Sequence, residues 1–493
     1  MKIHFNYNPK TRTSSFKCDN EDVMKAIRHH FSVPNKTAGF QSKWAAKRNY
    51  AFTPSGRFEL GMFYDIIRHI KSEYSLEGVS YSNSFLNVLD VGIKNHEFRN
   101  VENDTYKLYY YQKKIVEKAM HTGRGVCVLG TGGGKTLTIA TLIANFKAAS
   151  ENEEDFRCLI IVPDLGLVTQ TYSDFEDYGV PFTISKWTGG LKGFDYDPLA
   201  NVVIANAGVI QRRFDDEEWI KYVDVLMVDE THKIKKGKAT SEIVDKILTP
   251  NKFGFTGTLP DEENQVDTWS IIGKIGPVFF EKNSAELRDE GFLTNVETSV
   301  ISIEYKHEPF VDYENIEEDW STTMFYKAEL DFIYGHPFRN KIIKSLCANF
   351  DDNILLLVNH IRHGEKMEEI LEELTDKKIY FVQGSVDIET REKIKSIMEK
   401  ETGVICVAMA AIFSTGINIK NIHMIILASP GKAFIRLVQS IGRGLRKHKT
   451  KNKLILIDIA DKLRYGLEHL EKRLSIYERE QIDYKITGLT EKS

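Results

Sequence analysis

The stretch 129–146, LGTGGGKTLTIATLIANF, decides how this chain is read. An apolar run, Gly125-Val126-Cys127-Val128, leads into glycines, then Lys135, Thr136 and an apolar stretch of helical length. Strand, glycine-rich turn and helix make the geometry in which successive backbone N–H groups and a helix N-terminus face a polyphosphate. In such a loop Lys135 reaches the β- and γ-phosphates, and the Thr136 hydroxyl can ligate Mg²⁺. Strict GxxxxGK(S/T) spacing would place its first glycine at 129, where the chain has Leu129. A loop of this kind also arises by chance, so the rest of the sequence must say what the site powers.

At 493 residues the chain exceeds one hydrophobic core and predicts about two to four domains. No apolar run of about 18 residues occurs and the N-terminus is polar and basic, so neither a membrane span nor a signal peptide is expected. The expected location is the cytoplasm, a host's if the chain is phage-encoded. Five scattered cysteines, with no CxxC pair, read as small buried residues in a reducing compartment rather than disulfides or metal ligands. The net charge of −4 argues weakly against a polyanionic partner, but its distribution is uneven. Residues 1–60 hold 11 Lys/Arg against four acids, a local excess that can grip phosphate.

Residues 1–100 read as a small α+β unit: Met1 to Tyr7 alternates like an edge strand, and Glu21–Phe31 and Gly61–Glu73 read as helices. Between those helices, FQSKWAAKRNYAF (Phe40–Phe52) interleaves Lys43, Lys47 and Arg48 with Trp44 and Tyr50. Cations for phosphate and aromatics for base stacking suit single strands and duplex junctions. Aromatics in a core under a solvated charged face would leave the same pattern.

From about residue 105 strands and helices alternate, which implies a parallel sheet with crossover helices. Strand-like runs fall at 157–162, 201–205, 223–228 and 252–255. A charged, less regular stretch at 304–335 interrupts them. Alternation resumes at 353–358, 378–382, 403–408, 423–427 and 453–458, so the chain carries two α/β sheets, of which the first has the phosphate loop. An amphipathic helix at about 461–481 follows. VLMVDETH (Val225–His232) is a strand ending in two acids. Beside a phosphate loop, Asp229 can hold Mg²⁺ and Glu230 can polarise the attacking water.

DETH resembles the DEAD/DEAH signature of superfamily-two helicases, with Thr231 in the usual Ala position. Other segments resemble that family's motifs in the family's order. LYYYQ (Leu108–Gln112) is similar to the upstream element whose glutamine, here Gln112, reads adenine. Gly130, Thr131, Gly132, Gly133 and Gly134 with Lys135 and Thr136 match the phosphate loop. VPDLGLVTQ (Val162–Gln170) resembles the PTxxLVxQ motif, which implies nucleic-acid contacts at Pro163 and Gln170. IANAG puts Asn206 where a strand-contacting Thr is usual. FTGT resembles the SAT/TAT motif, with Thr256 and Thr258 linking DETH to the strand path. FSTGINI resembles the xTGxD motif, implying Ser414 and Thr415 at nucleic acid and Gly416 at the nucleotide. QSIGRGLR matches QxxGRxxR through Gln439, Arg443 and Arg446. Arg446 is then the finger on transition-state charge, worth about 10³–10⁵ in rate, and it serves the first sheet only if the second closes against it.

Beyond the shared motifs, Gly39–Ile70, HPFRNKII (His336–Ile343), LVNHIRHGEKM and VQGSVDIETRE resemble the phage UvsW-type branch-migration helicases. The resemblance implies an α/β architecture of two tandem RecA-like parallel-sheet domains plus a small N-terminal α+β domain. The implied division is 1–100 for substrate recognition, 101–300 for the ATP-binding domain and 301–335 for a connection or insertion. The second RecA-like domain is then 336–465, and 466–493 a C-terminal helix and tail. It also implies an ATP- and Mg²⁺-dependent monomeric motor on branched or duplex DNA, with recombination proteins as candidate partners. Lys43, Trp44, Lys47 and Arg48 would contact the DNA. An RNA helicase and the motor subunit of a restriction system share the motifs and stand as alternatives.

Overall fold

The computed structural model describes residues 1–35, 47–189, 196–235, 237–260, 264–306, 322–384, 388–410, 421–430, 453–479 and 482–491. Lys43, Trp44, Ser414, Thr415, Gly416, Gln439, Arg443 and Arg446 lie outside them. The chain forms two compact units, Met1–Leu129 with Gly134–Lys282, and Gly130–Gly133 with Asn283–Ser493.

The first unit opens with the strands β1 (Lys2–Asn8), β2 (Thr13–Cys18), β3 (Ser32–Pro34), β4 (Arg48–Tyr50), β5 (Arg57–Phe58) and β6 (Gly78–Tyr81). Four of them make a sheet in the order β5-β2-β1-β6, and β3 pairs with β4. β1 is therefore an interior strand and not the edge strand its alternation suggested: it pairs antiparallel with β2 and parallel with β6. Alternation reports one buried face, and a half-buried central strand alternates as an edge strand does. Phe5 from β1 centres an aromatic core, with ring centroids 5.1 Å from Phe63 and 5.6 Å from both Phe16 and Phe85. Helix Phe63–Glu73 contributes Phe63, Ile66, Ile67 and Ile70 to that core.

The core does not stop at the small domain, because Ile272 from the neighbouring lobe belongs to it. The two backbones approach closely there: a Cβ on Gly61 would fall 1.8 Å from the Ile272 carbonyl oxygen. Arg12 and Arg124 pin the same contact. Arg12 donates to the carbonyls of Asp245 (2.7 Å) and Ile247 (3.3 Å), and Arg124 to those of Lys274 (3.0 Å) and Ile275 (2.9 Å). These are the carbonyls at the C-terminal ends of helices Ala239–Lys246 and Gln265–Ile275, where cations are favoured.

The lobe itself is a seven-stranded parallel sheet of β7 (Gly125–Leu129), β8 (Cys158–Val162), β9 (Ile184–Trp187), β10 (Val202–Asn206), β11 (Val225–Asp229), β12 (Lys252–Thr256) and β13 (Val278–Lys282). Its order is β13-β7-β12-β11-β8-β10-β9. β7 and β8 are buried along their whole length, which is why they read as unbroken apolar runs.

The second unit holds another seven-stranded parallel sheet: β14 (Asn295–Glu304), β15 (Ile354–Val358), β16 (Lys378–Val382), β17 (Val404–Met409), β18 (Met424–Leu427), β19 (Lys453–Asp461) and β20 (Tyr484–Thr490). The order is β16-β17-β15-β18-β19-β14-β20. Within the stretch 304–335, Thr322–Gly335 is helical and buries Leu330, Ile333 and Tyr334 in this unit's core. The last helix runs Arg464–Arg479. Two buried ion pairs brace β19: Arg339 with Asp461 (2.8 Å) and Arg473 with Asp458 (2.8 Å). Cys127, Cys158, Cys347 and Cys406 are buried, Cys18 is half-buried, and none is in a disulfide.

Candidate active site

Strand order places the motifs. β12 lies between β7, which leads into the phosphate loop, and β11, which ends in Asp229. The end of FTGT therefore sits between the loop strand and the DETH strand, with Thr256 opposite Val128 and Phe255 opposite Asp229. On the far side of β11, β8 and β10 bring Pro163 and Asn206 together at neighbouring strand ends.

Gly130–Gly133 turns on a 3.0 Å bond from the Gly133 N–H to the Gly130 carbonyl. Gly134 caps helix Lys135–Ala148 at φ +78°, and a Cβ there would meet Gln112 Nε2 at 2.3 Å. The left-handed conformation favours glycine there, and a Cβ would have to push the Gln112 amide aside. The helix starts at Lys135, whose Nζ donates to the Leu129 carbonyl at 3.3 Å; Thr136 follows, half-buried. Gln112 is 2 % exposed. Its Oε1 accepts the Tyr109 N–H at 2.8 Å, and its Nε2 donates to the Gly134 carbonyl at 3.2 Å. The side chain thus ties the upstream helix Tyr110–Thr122 to the mouth of the loop.

Asp229 ends β11, and its Oδ1 accepts the Glu230 N–H at 2.9 Å. Glu230 sits at φ +51°; among the described residues it and Arg12 are the non-glycine residues in the left-handed region. That backbone costs on the order of 1–3 kcal/mol and is kept where the surroundings fix it. The fixing residue is Thr231, fully buried, whose one hydroxyl proton is shared between the carbonyls of Val228 (2.9 Å) and Phe255 (3.0 Å) across β11 and β12.

His232 Nδ1 lies 3.2 Å from Glu230 Oε2 and 3.0 Å from Thr256 Oγ1. Thr256 gives its proton to the Thr258 carbonyl at 2.8 Å, and a carboxylate only accepts. The proton on this edge of the imidazole therefore belongs to Nδ1, shared between Glu230 and Thr256. Thr231 and His232 are site residues that the sequence motifs do not assign. Their one signal in the sequence is that DETH departs from DEAD in its last two letters.

Asn206 Nδ2 donates to the Pro163 carbonyl at 2.8 Å, while its Oδ1 accepts the Gly208 N–H and caps helix Ala207–Arg213. It couples two strand-end loops. Gln170 is half-buried on helix Leu165–Tyr178, with its Oε1 unpartnered among the described residues. Lys47 is exposed, and Arg48 donates to Ser32 Oγ (2.8 Å) and to the Ser32 carbonyl (3.0 Å), bracing β3 against β4.

Among the described residues no group of three or more His, Cys, Asp or Glu could hold a metal. Thr136 and Asp229 supply two hard oxygen donors. That suits Mg²⁺, which takes one or two protein oxygens and completes its shell with phosphate and water.

A glycine-capped helix N-terminus, a lysine and a strand-end acid pair on one parallel sheet, with a second parallel sheet in the same chain, define a nucleotide-hydrolysing motor of two lobes. The sequence matches the family described as "Type III restriction enzyme, res subunit" over residues 105–261. It matches "Helicase conserved C-terminal domain" over 339–448. It is 31% identical over 402 residues to the ATP-dependent DNA helicase uvsW of Enterobacteria phage T4, covering 76% of each chain. It is 23% identical over 409 residues to Putative helicase 22 of a Sulfolobus islandicus filamentous virus, covering 80% of this chain and 70% of that one. In fold it resembles Saccharomyces cerevisiae Dbp5, solved bound to RNA and ADP BeF3, with a TM-score of 0.53 and 13% identity over 78% of this chain and 90% of that one. The chain belongs to the UvsW-type family of superfamily-two helicases and is an ATP-dependent DNA helicase.

Proposed function

We propose that this helicase unwinds and branch-migrates branched DNA, forks and Holliday junctions, in recombination, repair and replication. The observation that carries the reading is the docking of the small N-terminal domain on the first lobe. Gly61 lies against Ile272 and Arg12 against the Asp245 and Ile247 carbonyls, so substrate reader and ATP-binding lobe move as one body.

In the working cycle, the loop backbone and Lys135 hold the β- and γ-phosphates. Mg²⁺, when bound at Thr136 and Asp229, neutralises phosphate charge. Glu230 takes the proton of the attacking water, and His232 keeps its carboxylate aimed. Arg443 and Arg446, carried by the second lobe, stabilise the transition-state charge, and Gln439 belongs to the same set. Gln112 braces the loop and reads adenine. Pro163, Gln170, Asn206, Thr256 and Thr258 from the first lobe, and Ser414 and Thr415 from the second, contact strand phosphates, which are blind to sequence and suit a substrate defined by shape.

The test is ATP-dependent unwinding and ATPase stimulation on a Holliday junction, a fork, tailed duplexes of either polarity, single strand and RNA. Forks and junctions are expected to be the preferred substrates. A preference for RNA or linear duplex would sink the reading.

A further inference from the structure

A cleft of about 690 Å³ lies in the first unit where the N-terminal domain meets the lobe. It is on the lobe's other end from the nucleotide. Arg124 immediately precedes β7 and Lys252 opens β12, whereas Lys135 follows the C-terminal end of β7 and Asp229 is the last residue of β11. Strands of five residues separate the two ends by roughly 16 Å.

The cleft is lined by six basic side chains, Arg12, Arg28, Arg57, Arg124, Lys252 and Lys274, against two carboxylates, Glu59 and Asp245. Both carboxylates are taken by Lys274. Arg12, Arg124 and Lys252 satisfy the helix-end carbonyls, Lys252 through Val244 (2.6 Å) and Ile247 (2.9 Å). The Arg12 and Arg124 guanidiniums make no ion pair among the described residues.

Arg28 and Arg57 have more to give. The Arg28 guanidinium lies 3.6 Å over the Tyr50 ring and uses only Nε, on the Phe52 carbonyl at 3.3 Å. Its Nη groups, and the whole guanidinium of exposed Arg57, have no protein partner among the described residues. A guanidinium held over an aromatic ring and anchored through Nε is restrained, and its two Nη groups can present paired N–H donors to a phosphate. Tyr50 ends β4, and Tyr50, Ala51 and Phe52 line the cleft.

We propose that the cleft is a second phosphate-binding site, which grips the backbone of a DNA arm at the lobe's other end from the ATP, through Arg28 and Arg57 with Tyr50 holding Arg28 in place. The identity of the ligand as an arm of branched DNA rests on the function proposed above; the phosphate chemistry of the cleft does not.

The test uses the full chain. Arg28→Gln/Arg57→Gln is expected to weaken fork binding about tenfold and to reduce the slope of log affinity against log salt by about two, near 0.9 for each phosphate no longer neutralised. Arg57→Lys keeps most of the affinity, since lysine still holds phosphate as a point charge. Unchanged affinity and slope in the double variant overturn the site. As a readout independent of folding, Thr11→p-benzoylphenylalanine on the exposed rim is photo-crosslinked to fork and linear duplex. Crosslinking to the DNA supports the site, and its absence with fork preference intact overturns the cleft alone. Crosslinking to fork and linear duplex alike, with no fork preference in the wild type, overturns the branched-DNA reading and keeps the cleft. Abolition of the crosslink by inorganic pyrophosphate at concentrations that leave fork binding intact would assign the cleft to a free phosphate compound and overturn the DNA arm.

Discussion

His232 and Glu230 face each other at 3.2 Å, and the same imidazole nitrogen is 3.0 Å from Thr256. One side chain thus joins the acid proposed to activate water to the strand end next door. Glu230→Gln is expected to bind ATP and DNA but lose about 10²–10⁴-fold in turnover, the range of a general base. His232→Ala is expected to lower kcat about tenfold with little change in KM for ATP, because it removes one contact of the carboxylate and leaves the carboxylate in place. Steady-state ATPase beside nucleotide-binding titrations separates the two; near-normal turnover in Glu230→Gln would remove that residue from its role.

The phosphate loop offers a stricter test. Gly134 combines φ +78° with an approach to Gln112 that a Cβ would displace. Gly134→Ala is expected to abolish measurable ATP binding while the rest of the fold survives, read by nucleotide titration beside circular dichroism. Gln112→Ala removes the brace and should weaken ATP about tenfold, since the Tyr109 N–H and the Gly134 carbonyl lose their bonds to it.

In the second unit, Arg339 and Asp461 are fully buried, and Tyr305 donates to the same carboxylate. Arg339 also donates to the Ala428 carbonyl at 2.6 Å. Burial pulls the Arg339 guanidinium down, and Asp461 and Tyr305 more than offset it. Arg339→Met leaves a buried carboxylate uncompensated and is expected to cost about 3–5 kcal/mol in urea unfolding. The combination Arg339→Met, Asp461→Leu, Tyr305→Phe should recover much of that loss. A single variant as stable as the wild type would show that the pair contributes nothing.

Lys252 makes the stability of the first unit depend on pH. Burial, then Arg124 and Arg12, pull its ammonium down to about 7, against the opposing pull of Asp245 and Glu59. The unfolded chain keeps that proton up to an ordinary lysine value of about 10.4. Between those values the unfolded state binds more protons, so this lysine makes stability rise with pH from about 7 to about 10, and its full cost is present below 7. The neutral amine still has donors for Val244 and Ile247. Lys252→Met is expected to flatten the rise in unfolding midpoints measured across that window. Parallel profiles for variant and wild type would refute the assignment.

Buried strands were the most legible part of the fold. Residues 157–162, 353–358 and 403–408 read as strands and correspond to β8, β15 and β17, because fully or largely buried strands are apolar whatever they pair with. β9 (ISKW) and β20 (YKITGLT) lie at sheet edges with exposed faces, and their sequences carry no such run. The interior place of β1 was illegible for a related reason, since one of its partners, β6, comes from far along the sequence.

The sequence by itself determined the chemistry. A lysine and threonine after glycines, two acids ending a strand, and arginines far downstream identify an ATP-driven motor, because those residue types at those spacings have few other uses. Only the tertiary structure decided which residues hold these groups in place. Strand order, not sequence distance, sets β12 between β7 and β11, so His232 meets Thr256 and Thr231 bridges two carbonyls. Likewise Arg28, Arg57, Arg124 and Lys252 are scattered along the chain and became one cleft only when the small domain packed against the lobe. Long-range pairing of backbone and core is what brings them together, and no local pattern encodes it.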